Sequence, residues 1–142
     1  MYTPNETGSQ FEKRCFELLT TYGITYDKHK RIRNGNTWYE PDVITDSYVI
    51  ELKFQQVQGS ANKKLTQALF ELDWLSNKLD KIPVLVYDGA RLASLILKDP
   101  AFKKASSLLP HIQVLNFEAF NDLISTSTNL NNREQNRLLE YA

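Results

Sequence analysis

The stretch WYEPDVITDSYVIELKFQQ, residues 38–56, decides how the rest of the chain reads. From Tyr48 onward the residues alternate. Tyr48, Ile50, Leu52 and Phe54 share one face of a strand, and Val49, Glu51, Lys53 and Gln55 share the other. Asp46-Ser47 reads as a two-residue turn, which makes Trp38 to Ile44 the preceding antiparallel strand. With Thr45 facing Tyr48, Asp42 falls opposite Glu51. Directly opposed residues have Cβ atoms about 4.5–5.5 Å apart, so these carboxylates repel each other or one of them holds a proton. A divalent cation between them removes the conflict. Hard carboxylate oxygens suit Mg²⁺, which completes its octahedron with waters and phosphate oxygens. Lys53, two residues past Glu51 on the same face, sets an ammonium where it can steer a water and offset charge on a phosphate. A cation, a positioned water and charge stabilisation are the requirements of phosphodiester hydrolysis.

Outward from this hairpin the chain reads as an α/β fold, a central mixed sheet flanked by helices. Thr3 to Gly8 looks like a loose terminus. Ser9 and Glu12 fit a capping box, and Phe11, Cys15, Leu18, Leu19 and Tyr22 then recur at helical spacing until Gly23. Residues 24–33 read as one extended segment, followed by an Asn34-Gly35 turn. Beyond the hairpin, a helix is expected from about Ala61 to Leu79, with Leu65, Ala68, Leu69, Leu72, Leu75 and Leu79 as its apolar stripe. PVLVYD, residues 83–88, is a short apolar run suited to a strand buried on both faces. A helix around Arg91–Lys98, a strand at Ile112–Leu115, a helix at Phe117–Ile124 and a short C-terminal helix complete an order α-β-β-β-α-β-α-β-α.

The 142 residues fit one domain, residues 1–142, with a core over about 9–116 and C-terminal helices over 117–142 as candidates for oligomerisation. Seventeen basic and seventeen acidic side chains cancel, so any hold on nucleic acid has to come from local patches. The one cysteine, Cys15, precludes an internal disulfide and reads as a buried hydrophobe in a reducing compartment. No signal-like or membrane-length apolar run is present, so a cytoplasmic location and no membrane partner are expected.

Pro41-Asp42 followed by Glu51-Leu52-Lys53 resembles the PD-(D/E)xK nuclease superfamily, whose αβββαβ core is similar to the order read over residues 9–116. The size and the segments FEKRCFELLTTYGI and KHKRI look most like small intron-encoded homing endonucleases of that fold. The resemblance implies a Mg²⁺-dependent DNA endonuclease, with Mn²⁺ as a substitute ion. Asp42 and Glu51 would bind metal, with the Leu52 carbonyl as an extra ligand, and Lys53 would orient the water. Glu12, or less well Glu17, would match the glutamate that the first helix of the family often supplies. Gln55, Ser60 and Lys64 would carry over from FQQVQGSANKKL. Restriction enzymes and Holliday-junction resolvases share this chemistry and are the alternatives. A non-catalytic nucleic-acid-binding module or a plain interaction domain is the reading outside the enzymes.

Lys28, Lys30, Arg31 and Arg33 put charge on both faces of one extended segment, which suits double-stranded DNA phosphate and equally an edge strand guarded against aggregation. Glu12 could serve only as the helix cap. Lys64 reads as an exposed residue unless phosphate lies nearby. His29 is expected at the surface, and His111 lacks a companion for a zinc site. Trp38 and Trp74 are read as core residues. Lys103 and Lys104 are read as a solvated loop. With one site per chain, a double-strand cut needs a homodimer or higher homo-oligomer, for which RLLEY near the C-terminus is a candidate contact.

Overall fold

The computed structural model describes residues 6–55 and 61–127, and the hairpin lies at its centre. In chain order the elements are α1 (Gly8–Thr21), β1 (Tyr26–Lys28), β2 (Ile32–Asn34), β3 (Thr37–Tyr39), β4 (Val43–Thr45), β5 (Tyr48–Phe54), α2 (Ala61–Leu79), β6 (Ile82–Asp88), α3 (Ala90–Lys98), α4 (Pro100–Leu108) and β7 (Gln113–Asn116). Residues 117–127 are helical. Five strands form one mixed sheet in the order β1-β4-β5-β6-β7, while β2 and β3 form a separate two-stranded arm. Strands β1, β4 and β5 pair antiparallel, and β5, β6 and β7 pair parallel. The fold is therefore mixed α/β with helices on both faces of the sheet.

The hairpin register is the one the alternation requires: Val43 pairs with Ile50 and Ile44 with Val49. The alternating faces of β5 part into two cores. Val49 joins Ile44, Leu85 and the apolar stripe of α2 with residues of α3 and α4. Ile50 and Leu52 join Phe11, Cys15 and Leu19 of α1, with Phe120 and Ile124 beyond β7. Leu69, Leu72 and Phe120 are fully buried, each contributing about 1.5–3 kcal/mol. Strand β6, covered on both faces, carries the continuous apolar run Val84–Val86 at its middle.

Several expectations are corrected. The cap of α1 is Thr7, whose hydroxyl accepts from the Gln10 N–H while the Gln10 side chain accepts from the Thr7 N–H; Thr7 and Gly8 thus belong to the helix start, and Glu12 is not part of the cap. The extended segment 24–33 is broken into β1 and β2 by His29, which sits in the left-handed region with φ 55°. The strand expected over 38–44 divides into β3 and β4 because Pro41 has no N–H to continue a ladder. Helix α4, Pro100–Leu108, is an element the sequence reading did not include. Asp99 caps α4, accepting from the Phe102 N–H at 2.9 Å, and Pro100 occupies the first turn, where a missing N–H costs nothing. Lys103 and Lys104 therefore lie on a helix, exposed. Trp38 is not core: it is 52% exposed on the two-stranded arm, beneath the Arg33 guanidinium. Trp74 is half-buried and meets Tyr39 edge-on. Ser60 and the C-terminal helix with its RLLEY segment fall outside the described residues.

Candidate active site

Register and proline together build the centre of the site. Continuing the β4–β5 pairing outward would set Pro41 against Leu52 and Asp42 against Glu51. Pro41 cannot donate to the Leu52 carbonyl, so the ladder stops there. Asp42 takes over one side of the broken rung, its Oδ2 accepting the Leu52 N–H at 2.7 Å. Within a strand a residue's N–H and C=O point to the same side, so the Leu52 carbonyl faces this same opening.

The Glu51 carboxyl is hydrogen-bonded to that of Asp42, and Lys53 Nζ lies 3.8 Å from Glu51 Oε1. Lys53 reaches back along its own strand face, although the two residues are only i, i+2. Burial, then the hydrogen bond and negative charge of Asp42, push the Glu51 carboxyl up to about 9, with Lys53 only partly opposing them. The side chains of Glu51 and Lys53 are 12% and 31% exposed, so the pair is recessed while the ammonium still meets solvent. Asp42, Glu51 and Lys53 are thus brought together.

Glu12 approaches from the opposite layer. Carried on α1, it belongs with His29 and Asp42 to a cluster whose ligand atoms all lie within 4.8 Å of one another. Glu17 is exposed, within 3.9 Å of Lys13, and is not in this cluster. His29 is exposed, as expected, with 44% of its side chain open to solvent; what sequence reasoning missed is that its ring reaches Glu12. Its placement depends on the left-handed backbone, which nothing in the KHK run announces.

The end of β5 is fixed by a second arrangement. The Gln55 N–H donates to the Asp88 carbonyl at 3.3 Å, and the Gln55 carbonyl accepts from the Arg91 and Leu92 N–H groups at the start of α3. Gly89, at φ 97°, allows this approach: a Cβ there would stand 2.4 Å from the Gln55 oxygen. Arg14 of α1 donates to Glu6 and to Asp88 Oδ2, tying α1 to the end of β6. Its guanidinium also lies over the Phe117 ring, 4.5 Å from the centroid. Gln55 therefore serves this strand end through its backbone.

The basic residues do not form one row. Lys28 lies over the Phe16 ring beside the Glu12–His29 corner. Lys30 is exposed on the irregular segment before β2. Arg31 lies 3.6 Å from Glu40, and Arg33 covers Trp38 on the arm. Lys64 is exposed on the first turn of α2. A cleft of about 560 Å³ opens between the arm, α2 and α4, lined by Tyr39, Lys63, Phe70 and Glu71 among others; the acid pair is not part of its wall. His111 lies 2.8 Å from Asp73, away from the Glu12–His29–Asp42 cluster. No helix among the described residues is long and apolar enough to cross a membrane.

No family model matches the chain, and comparison with curated proteins and with solved structures yields no match.

Proposed function

We propose that the chain is a Mg²⁺-dependent DNA endonuclease with a PD-(D/E)xK-type centre. The observation that carries this reading is the Asp42–Glu51 carboxyl pair at the broken end of β4, with the Lys53 ammonium 3.8 Å from Glu51. The donor set fits the ion. Two adjoining carboxyls, the Glu51 one pushed up by burial and by Asp42, with a backbone carbonyl facing them, are hard oxygen donors of the kind that suit a divalent cation. Asp42, Glu51 and the Leu52 carbonyl would hold Mg²⁺, or Mn²⁺ in its stead. When bound, such an ion acidifies a water and neutralises charge on a phosphate.

The chain's own residues do the rest. The Leu52 N–H fixes the Asp42 carboxylate in the plane of the sheet. Lys53 orients the attacking water and offsets charge gathering on the phosphate oxygens. Recession of Glu51 lowers the local dielectric, which strengthens both effects. Lys28, Lys30, Arg31 and Arg33 supply phosphate contacts around the Glu12 corner and along the arm. A double-strand cut requires two copies, so the active species is a homodimer or higher homo-oligomer. A homing, restriction or junction-resolving role would each draw on this one centre.

Nicking of supercoiled plasmid tests the proposal. Wild type is expected to nick with Mg²⁺, and Asp42→Ala, Glu51→Ala and Lys53→Ala each to abolish nicking while keeping the wild-type circular dichroism. Undiminished nicking by Glu51→Ala would overturn the assignment. DNA retention without nicking by the wild type under every divalent cation would favour the non-catalytic binding module.

A further inference from the structure

Glu12, His29 and Asp42 meet where α1, the end of β1 and the residue before β4 converge. The His29 N–H donates to the Asp42 carbonyl at 3.2 Å, and the ring stands edge-on to Phe16 with centroids 6.3 Å apart. Both ring nitrogens are thereby turned toward carboxylates. Nε2 lies 2.9 Å from Glu12 Oε1, and Nδ1 lies 3.7 Å from Asp42 Oδ1. Despite that closeness, Glu12 Oε1 accepts no hydrogen bond, and it is sealed from solvent. A carboxylate oxygen withdrawn from water with no donor costs about 1–3 kcal/mol or more. A cation is the group that would complete it. A hollow of about 480 Å³, lined by Ser9, Glu12, Lys13, Phe16, Lys28 and His29, leads to this corner from outside.

We propose that Glu12, His29 and Asp42 form a second divalent-cation site that takes a transition metal through the His29 imidazole. It differs in chemistry from the all-oxygen Asp42–Glu51 pair. Carboxylate and carbonyl oxygens suit Mg²⁺ and Ca²⁺, whereas an imidazole among them shifts preference toward ions such as Zn²⁺. Asp42 belongs to both sites, so the two ions would flank one carboxylate. The inference deepens the nuclease reading and rests on it only for what the second ion would serve. The binding itself is measured without DNA.

The probe is Zn²⁺ titrated into the full chain at about pH 7.5, where neutral imidazole is the ligating form. Imidazole-ring NMR and calorimetry follow the titration. One equivalent of Zn²⁺ is expected to shift a ring nitrogen of His29 and to leave His111, held beside Asp73, in place. Equimolar Mg²⁺ is expected to shift neither. His29→Gly, which tolerates the left-handed backbone, and Glu12→Gln should each weaken Zn²⁺ binding about tenfold or more. Unmoved His29 nitrogens at one equivalent of Zn²⁺ would overturn the proposal, as would Zn²⁺ affinities near wild type in both variants. Zn²⁺ bound in this way by a protein that never nicks plasmid would leave the site standing and remove the nuclease. Nicking in Mg²⁺ with a silent His29 would do the reverse.

Discussion

Replacing Glu51 with glutamine separates the stability of the site from its chemistry. A glutamine has the shape of the protonated acid and can donate its amide N–H to Asp42 as the neutral carboxyl does. Glu51 holds its proton more tightly in the folded chain than in the unfolded one, where the ordinary value of 4.5 applies. Without metal, folding stability therefore falls as pH rises from that value toward about 9, and levels off above it. At about pH 8 the cost reaches at most about 4–5 kcal/mol, taking 1.36 kcal/mol per tenfold change in proton affinity. Relaxation around the carboxyl reduces this figure, and loss of the partly exposed Lys53 partner at 3.8 Å removes up to about 1 kcal/mol more. Glu51→Gln should thus gain about 1–2 kcal/mol at about pH 8, a Tm higher by about 3–7 °C for a chain of this size. The gain should vanish at about pH 4, where the wild-type acid is protonated in either state. Thermal melts by circular dichroism in EDTA read this directly. Mg²⁺ at about ten times its Kd should then stabilise the wild type by about 1.4 kcal/mol and the variant far less. A variant that melts at or below wild type at about pH 8 in EDTA would refute the reasoning.

Gly89→Ala should lower stability by about 2 kcal/mol or more, measured by urea titration, because a Cβ would press on the Gln55 backbone oxygen and φ 97° disfavours a side chain; a loss below about 0.5 kcal/mol would show that this approach is not tight. Trp38→Ala should change the urea midpoint very little, since the ring is 52% exposed, and a loss like that of a core aromatic would place it inside instead. Arg33→Ala should weaken DNA binding and reduce the slope of log K against log salt by about 1, read by fluorescence anisotropy; an unchanged slope would take the arm out of the interface. Ca²⁺, larger and less exacting in geometry, should support DNA binding without cleavage, and equal cleavage in Ca²⁺ would require another mechanism.

The central hairpin was legible because its pattern has a period of two and a single permitted turn. One slip in register would have moved Val49 and Ile50 to the wrong layers, and the pairing of Val43 with Ile50 is the one that keeps each in its core. Helix α2 was legible for the same reason at helical period, with Leu65, Leu69, Leu72 and Leu75 all buried. What escaped depended on single backbone angles and distant partners. Lys28, Lys30, Arg31 and Arg33 read as one strand, yet φ 55° at His29 divides them and brings its exposed imidazole to Glu12. The cap of α1 could be written from Ser9 and Glu12 or from Thr7 and Gln10, and local sequence does not rank the two. Arg14 and Asp88 are 74 residues apart, so no local pattern joins them. Trp38 looked like core by residue type, while the arm that carries it stands apart from the main sheet.

Asp42 accepts from β5, receives β1 through the His29 amide, and meets a glutamate of α1, while its neighbour Glu51 lies on the face covered by α2. The groups of the proposed centre are thus delivered jointly by both layers of the molecule, and neither half holds a complete set. Loosening either helix layer would scatter the donors before the polypeptide as a whole came apart. Under the nuclease proposal, turnover would then work as a gauge of integrity across the entire architecture. On a denaturant ramp it should fade together with the far-ultraviolet signal if the layers melt as one, and ahead of it if they let go in turn.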